Sequence, residues 1–233
     1  VDRLLDSPHY GERWGRHWLD IARYADSNGL DENVAHGNAW RYRDYVVKSL
    51  NDDKPYDEFL VEQLAGDLLD SDTDVSRRNN RLIATGFLVL GPKVLAEVDE
   101  GKMEMDIVDE QIDTIGRSLM GLTLGCARCH DHKFDPIGQD DYYGLAGIFK
   151  STKTMENFSV VARWQERPLA SAENLKQRET QQKKIDEKKS AIDQLTKQAN
   201  NRLLNEERKH IATYLLAAEE QRQRQEFLKQ VKS

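Results

Sequence analysis

The sequence has few of the residues that build disulfide frameworks, membrane spans or nucleic-acid surfaces. Two cysteines in 233 residues exclude the disulfide-rich scaffold of small secreted domains. The longest apolar stretch, residues 82–90, is too short for a membrane span, which needs roughly 18 to 20 residues. Basic residues number 34 against 41 acidic ones, and the formal net charge is −7, so a general nucleic-acid-binding surface is not expected.

The start of the chain has neither an initiator methionine nor the pattern of a signal peptide. We therefore expect a processed product or a piece of a longer protein. Apolar residues make up only 38% and charged residues 32% of the chain, so we expect part of it to lie outside any core.

Composition changes sharply near Pro168. Residues 169–233 contain neither glycine nor proline, although the chain has 14 Gly and 5 Pro. Residues 170–233 carry a net charge of +4, whereas the preceding residues carry −11. The sequence therefore predicts two domains, residues 1–168 and a helical arm over residues 169–233.

The arm has a weak coiled-coil pattern. Its apolar positions Ile185, Ile192, Leu195 and Ala199 are spaced by seven, three and four residues. A turn at Asn200 and Asn201 would make it an antiparallel helical hairpin, which we favour over one long helix.

The first domain is predicted to be mostly α, an irregular multi-helix domain with long loops. Helical spacing of apolar residues recurs along it, and no alternating strand pattern of useful length is present. Helices are predicted after Pro8, over 40–50, after Pro55, and over 77–90, 105–124 and 140–149.

Both cysteines fall in one short motif, Cys126-Ala127-Arg128-Cys129-His130. This C-x-x-C-H pattern is typical of covalent c-type haem attachment. Two thiols three positions apart on a helical turn can bond the two vinyl groups of one porphyrin. The adjacent imidazole can then bind the iron from the proximal side.

Three other readings of the motif stay open. A thioredoxin-like dithiol would need a βαβ context, which the helical pattern before Cys126 does not provide. A structural zinc site would use Cys126, Cys129, His130 and His132, although adjacent Cys129 and His130 can hardly both reach one tetrahedral ion. The two thiols could also be inert and buried.

Several segments resemble the planctomycete cytochrome c-like DUF1549 (PSCyt2) family, over about residues 1–155. They are CARCHDHKFDPI at 126–137, YGERWGRHWLDIARYAD at 10–26, and residues 40–45, 51–57, 63–67 and 109–113. The resemblance implies haem c bound by Cys126, Cys129 and His130, electron transfer, and an exported bacterial protein. It also implies a following DUF1553 domain as partner, and a link to polysaccharide degradation.

A six-coordinate haem iron needs a second axial ligand on the distal side. His17 is our first candidate, because it lies beside the aromatic residues of the first predicted helix. The remaining histidines and the methionines are further candidates: His9, His36, His132, His210, Met103, Met105, Met120 and Met155.

Two other groups of residues are candidates for chemistry. His132 and Asp135 follow the motif closely enough to exchange a proton near the haem edge. Asp106, Asp109, Glu110 and Asp113 lie on one predicted helix, where Asp109 and Asp113 could hold Ca²⁺ or another metal. Alternatively, acids favour a helix N-terminus, and Asp113 pairs with Arg117 four residues further on.

The sequence therefore favours a c-type haem domain for electron transfer in a larger exported oxidoreductase system. Its redox partner would be another cytochrome, or other segments of the same parent protein. Haem c is attached outside the bacterial cytoplasm, so we expect a periplasmic or cell-surface location. Whether the domain is itself a haem-dependent oxidoreductase is left open. The alternatives are a carbohydrate-active domain using the acidic cluster or His132 and Asp135, and a zinc-stabilised interaction module.

Overall fold

The structure, a computed structural model, describes residues 1–30, 32–69, 74–169 and 171–231. It divides into two compact units, Val1–Leu169 and the residues from 170 onward. The division lies one residue beyond the boundary at which the composition changes.

The first unit is built of helices, as the mostly α prediction requires. Helical segments dominate the whole described chain, which confirms the predicted fold class. The α-helices of the first unit are α1 (Asp2–Leu5), α2 (His9–Ile21), α3 (Ala39–Asn51), α4 (Tyr56–Ala65), α5 (Val75–Ala84), α6 (Glu100–Ile115) and α7 (Gln139–Lys150). Three short helical turns join them, at Thr85–Leu88, Gly116–Met120 and Leu124–Arg128.

Helices α2 and α3 pack closely because glycine lies where they touch. A Cβ added at Gly11 would come within 2.3 Å of the Val47 carbonyl oxygen, so no larger residue fits there. Trp18 fills the adjoining core and donates a hydrogen bond from Nε1 to Gln63 Oε1 at 2.8 Å. Consequently Trp14 faces solvent, with 54% of its surface exposed, although helical spacing placed it on the same apolar stripe as Trp18.

A second core joins α6, the Leu124–Arg128 turn and α7. It consists of Val108, Ile112, Leu124, Ala127, Tyr142 and Ala146. This core fixes the position of the cysteine motif, because two of its members lie within the turn that carries the cysteines.

Helix α6 ends earlier than the predicted helix 105–124. A wide π-helical turn follows it at Gly116–Met120, and Gly121 then adopts a left-handed φ of 68°. This reversal brings Leu124 back over the end of the helix. A Cβ at Gly116 would lie 2.6 Å from Leu124 Cγ, so the reversal needs glycine at this position as well.

The first unit closes with a short antiparallel pair of strands, β1 (Met155–Asn157) and β2 (Arg163–Trp164). A third core packs beside it and includes Leu95, Met103, Ile107, Met155 and Ala162. Strands of two or three residues are too short to give an alternating pattern, so the sequence did not indicate them.

The second unit consists of α8 (Ala172–Lys209) and α9 (Ile211–Val231). The predicted turn at Asn200 and Asn201 is wrong, because α8 runs through both residues without interruption. The break comes instead at His210, and the two helices contact each other over a few residues rather than along a shared seam. With neither glycine nor proline at 200–201, nothing ends the helix there.

The apolar side chains of α8 and α9 stay exposed, from 37% at Leu175 to 67% at Leu216. None of the helices that the structure describes is long and apolar enough to cross a membrane.

Candidate functional site

The cysteine motif lies on a tight turn whose three faces meet three different surroundings: the core, the acidic helix α6 and solvent. Leu124–Arg128 is a 3₁₀ turn, in which residues three apart lie on the same side. Leu124 and Ala127 face the core and are 3% and 0% exposed. Gly125 and Arg128 face the acidic side chains of α6. The remaining face carries Cys126, with Cys129 directly after the turn.

Both thiols are free and accessible to solvent. Because Cys126 and Cys129 are three residues apart and Cys129 keeps helical backbone angles, both point away from the core. The Cys126 thiol also donates a weak hydrogen bond to Thr123 Oγ1, at 3.7 Å. The thiols are therefore neither buried nor joined to each other in this structure, and both can react.

His130 is exposed and has one ring nitrogen committed. Its Nδ1 donates a hydrogen bond to the Asp131 carbonyl oxygen at 2.8 Å. This hydrogen bond fixes the tautomer and leaves the lone pair on Nε2, the usual arrangement of a histidine that binds a metal. Nε2 is thus the atom of His130 that is available as a ligand.

His132 is held inside the loop that follows the motif. Its Nε2 donates to Thr123 Oγ1 at 3.0 Å, and its Nδ1 accepts from the Asp135 amide at 3.0 Å. Asp135 Oδ2 lies 3.1 Å from the same Nδ1, but the amide contact shows that this nitrogen presents a lone pair. Both nitrogens are engaged and the side chain is 7% exposed, so His132 shapes the loop. Proton exchange through it would break one of these bonds.

A pocket of about 440 Å³ opens beside the motif. Leu122 and Phe134 supply apolar surface, and Cys126 and His130 supply sulfur and imidazole. The lining comes entirely from one stretch of chain: Gly121, Leu122, Thr123, Cys126, His130, His132, Lys133, Phe134 and Asp135. The volume lies within the ordinary range of cofactor sites, roughly 300–1,000 Å³.

The residues present fit a covalently attached haem on its proximal side. Such a group requires two thiols for its covalent bonds, an imidazole nitrogen for its iron and apolar surface around its ring. The motif and its pocket offer two outward-pointing thiols, a free Nε2 and an apolar border. In the described part of the chain, the pocket lining offers no second axial ligand apart from the hydrogen-bonded His132.

The structure does not bring His17 to the motif residues. His17 lies exposed on α2, where its Nε2 accepts a hydrogen bond from Arg13 Nη1 at 2.8 Å. Its ring centre lies 5.4 Å from that of Trp14, with the two rings tilted by 51°. Helix α2 packs in the first core with α3, whereas the motif packs in the second core with α6 and α7.

Three of the other candidates for the distal ligand are buried in packing contacts. His36 is buried beside Trp164, and burial together with the Lys93 charge lowers its pKa. Met103 and Met155 are buried in the third core, and His210 lies on the second unit.

The acidic residues of α6 are paired with cations. Asp106 and Asp109 contact Arg128, Glu110 contacts Arg23 and Lys93, and Asp113 contacts Arg117. Across residues 1–30, 32–69, 74–169 and 171–231, no group of three or more His, Cys, Asp or Glu could hold a metal ion. The predicted Ca²⁺ at Asp109 and Asp113 gains no support from this arrangement.

The family described as PSCyt2, a protein of unknown function (DUF1549), matches residues 1–154. The chain belongs to this family. The match covers α1 to α7 and the cysteine motif, and it ends before the second unit. The comparisons with curated proteins and with solved structures found no match.

Sequence reasoning missed two features of this DUF1549 site. The first is Thr123, whose hydroxyl accepts from both Cys126 and His132 and so joins the motif to its loop. The second is Arg128, which ties the motif to α6. Arg128 lies inside the motif and faces the acidic helix α6 in the fold. A basic residue in the motif, together with an acidic helix elsewhere in the sequence, was the one signal that could have indicated the pairing.

Proposed function

We propose that the DUF1549 domain of this chain carries one covalently attached haem c and transfers electrons. One observation carries the proposal: a single turn presents Cys126, Cys129 and His130 to solvent together, beside a partly apolar pocket. A protein that kept these residues for packing would bury them, since cysteine is among the most buried residue types.

The proposed roles follow from the positions of the atoms. Cys126 Sγ and Cys129 Sγ form the thioether bonds, and His130 Nε2 is the proximal ligand. When bound, haem supplies reversible one-electron exchange at its iron. The hydrogen bond from His130 Nδ1 to the Asp131 carbonyl holds the imidazole plane. Leu122 and Phe134 supply the apolar surface beside this site.

The distal ligand is not part of the proposal. His17 lies exposed on α2, which packs in the other core, and its Nε2 accepts a hydrogen bond from Arg13, so we assign only the proximal side. The carbohydrate-active and calcium-binding alternatives lose their main support, because the acids they would use are neutralised by cations. The engaged nitrogens of His132 weaken a role for it with Asp135 in acid–base chemistry.

We also propose that the protein is exported and exchanges electrons with a second cytochrome or with other segments of its parent chain. Attachment of haem c takes place outside the bacterial cytoplasm, so the motif and the location belong together. A following DUF1553 domain and a link to polysaccharide degradation are the corresponding proposals for its context.

The test is expression with export and the haem-attachment machinery, followed by intact-mass and absorption measurements. The wild-type chain should gain roughly six hundred daltons and show a Soret band that survives acid–acetone extraction. Cys126→Ala/Cys129→Ala should lose both signals. His9→Ala is the control, because His9 lies exposed on α2, outside the cysteine motif, and its ring contacts Glu12 of the same helix. An unmodified wild-type mass, in cells that mature a known c-type cytochrome, would refute the proposal.

A further inference from the structure

Arg128 lies between the two cysteines of the motif, and its side chain extends away from the thiols. We propose that Arg128 is a positioning residue, whose guanidinium fixes the cysteine turn on α6 so that both thiols and His130 are presented together. The consequence of this positioning for haem attachment rests on the proposed function. The effect of Arg128 on the two thiols does not depend on the proposed function, and it can be measured without haem.

The guanidinium reaches two carboxylates one helical turn apart. Arg128 Nη2 lies 2.9 Å from Asp106 Oδ1, and Nη1 lies 3.5 Å from Asp109 Oδ2. The arginine side chain is 30% exposed, so the contacts are partly shielded from water. A planar fork that meets two acids fixes direction as well as distance, which a single point charge cannot do.

The two carboxylates are themselves held in place. Asp109 Oδ1 accepts a hydrogen bond from the Tyr142 hydroxyl at 2.6 Å, and Tyr142 is buried in the second core. Asp106 also accepts from Lys102 at 3.0 Å. Burial opposes the charge of Asp106, but the hydrogen bonds from Lys102 and Arg128 lower its pKa. The acids therefore form a fixed support for the arginine.

The main chain of Arg128 is held from the other side. Its carbonyl oxygen accepts a hydrogen bond from the Tyr143 hydroxyl at 3.0 Å, and Tyr143 lies on α7. The residue thus bridges α6 and α7. The core face of the turn offers only Leu124 and the single methyl group of Ala127. Rotation of the turn, and so the direction of both thiols, depends on Arg128.

A dithiol probe tests this inference on the reduced, haem-free chain. Phenylarsine oxide forms two As–S bonds with a pair of thiols and releases its oxygen as water with the two thiol protons. Its affinity depends on how well the two sulfurs are pre-arranged. Iodoacetamide reacts with one thiol at a time, so its rate reports the exposure and the thiolate fraction of each thiol and does not depend on how the two sulfurs are arranged.

We expect Arg128→Gln to weaken phenylarsine oxide binding about tenfold, through loss of a charge-assisted fork. Arg128→Lys should fall between wild type and Arg128→Gln, because lysine reaches one carboxylate as a point charge. The iodoacetamide rates should not change, since both thiols are already exposed. Arg117→Gln is the matched control: it removes the same charge from an exposed pair with Asp113 and should leave the affinity unchanged.

Wild-type affinity in Arg128→Gln overturns the inference, whatever the haem content of the protein. If Arg128→Gln does not fold, Arg128→Lys decides: wild-type affinity overturns the inference and reduced affinity supports it. Haem loading is read separately on matured protein. A wild-type chain without haem refutes the proposed function and leaves the dithiol result standing.

Discussion

Replacing Glu110 by glutamine removes the carboxylate that neutralises a buried lysine. Lys93 Nζ lies 3.0 Å from Glu110 Oε2, and the lysine side chain is 1% exposed. Glu110 Oε1 lies 2.5 Å from Arg23 Nη1. Breaking a buried ion pair by removing one partner costs about 3–5 kcal/mol, because the remaining charge is left without compensation. Arg23 is 31% exposed and can regain water, so most of this cost falls on Lys93.

We therefore expect Glu110→Gln to lower the free energy of unfolding by about 3–5 kcal/mol at pH 7. Urea denaturation followed by tryptophan fluorescence measures this loss. Lys93→Met combined with Glu110→Gln should recover much of it, because an apolar side chain of similar length needs no counter-charge. Glu97→Gln, which affects an exposed pair with Lys102, should leave the midpoint nearly unchanged.

The loss should also depend on pH. Burial lowers the pKa of Lys93 below 10.5 in the folded chain, and Glu110 opposes that shift. Without Glu110 the folded pKa falls further, so the folded chain releases the proton at a pH where the unfolded chain still holds it. Stability then rises with pH up to about 10.5, the unfolded value. The defect of Glu110→Gln should be smaller at pH 10 than at pH 7. A loss under about 1 kcal/mol at pH 7, or one that is equal at both pH values, would refute this reasoning.

Three further substitutions near the motif have predicted effects on stability. Gly121→Ala should destabilise the chain by about 1–2 kcal/mol, because φ is 68° there, whereas Gly144→Ala within α7 should stabilise it by about 1 kcal/mol. Thermal unfolding of both variants checks this, and two shifts of the same sign would contradict it. Tyr142→Phe should cost about 1.5–3 kcal/mol in urea denaturation through the lost hydrogen bond to Asp109, and no loss would contradict the pairing.

The sequence predicted best what depends on local pattern. Helix α3 was expected over 40–50 and runs over Ala39–Asn51, with Tyr42, Tyr45 and Val46 buried as their helical spacing indicates. The arrangement of the C-x-x-C-H motif could be predicted equally well, because its spacing alone places both thiols on one side of a turn.

The sequence failed where a distant contact decides. Trp14 has the right spacing for the core, but glycines draw α3 against α2 and leave Trp14 outside. The end of α6 depends on a close approach of Leu124 to Gly116, which no local pattern encodes. The partners of Asp109 and Glu110, which are Arg128, Arg23 and Lys93, also come from tertiary packing, so the sequence could nominate these acids but could not pair them. By contrast, Asp113 pairs with Arg117 four residues further along the chain, as the spacing indicated.

The threefold period of the Leu124–Arg128 turn makes its length more critical than its composition. One extra residue before Cys126 would rotate every later side chain by about 120° and carry the first sulfur onto the side that now faces the core, where Leu124 and Ala127 lie. Ala127 and Arg128 would leave their own sides by the same step. We therefore expect relatives that use this turn to vary freely in the loops around it while keeping its residue count unchanged.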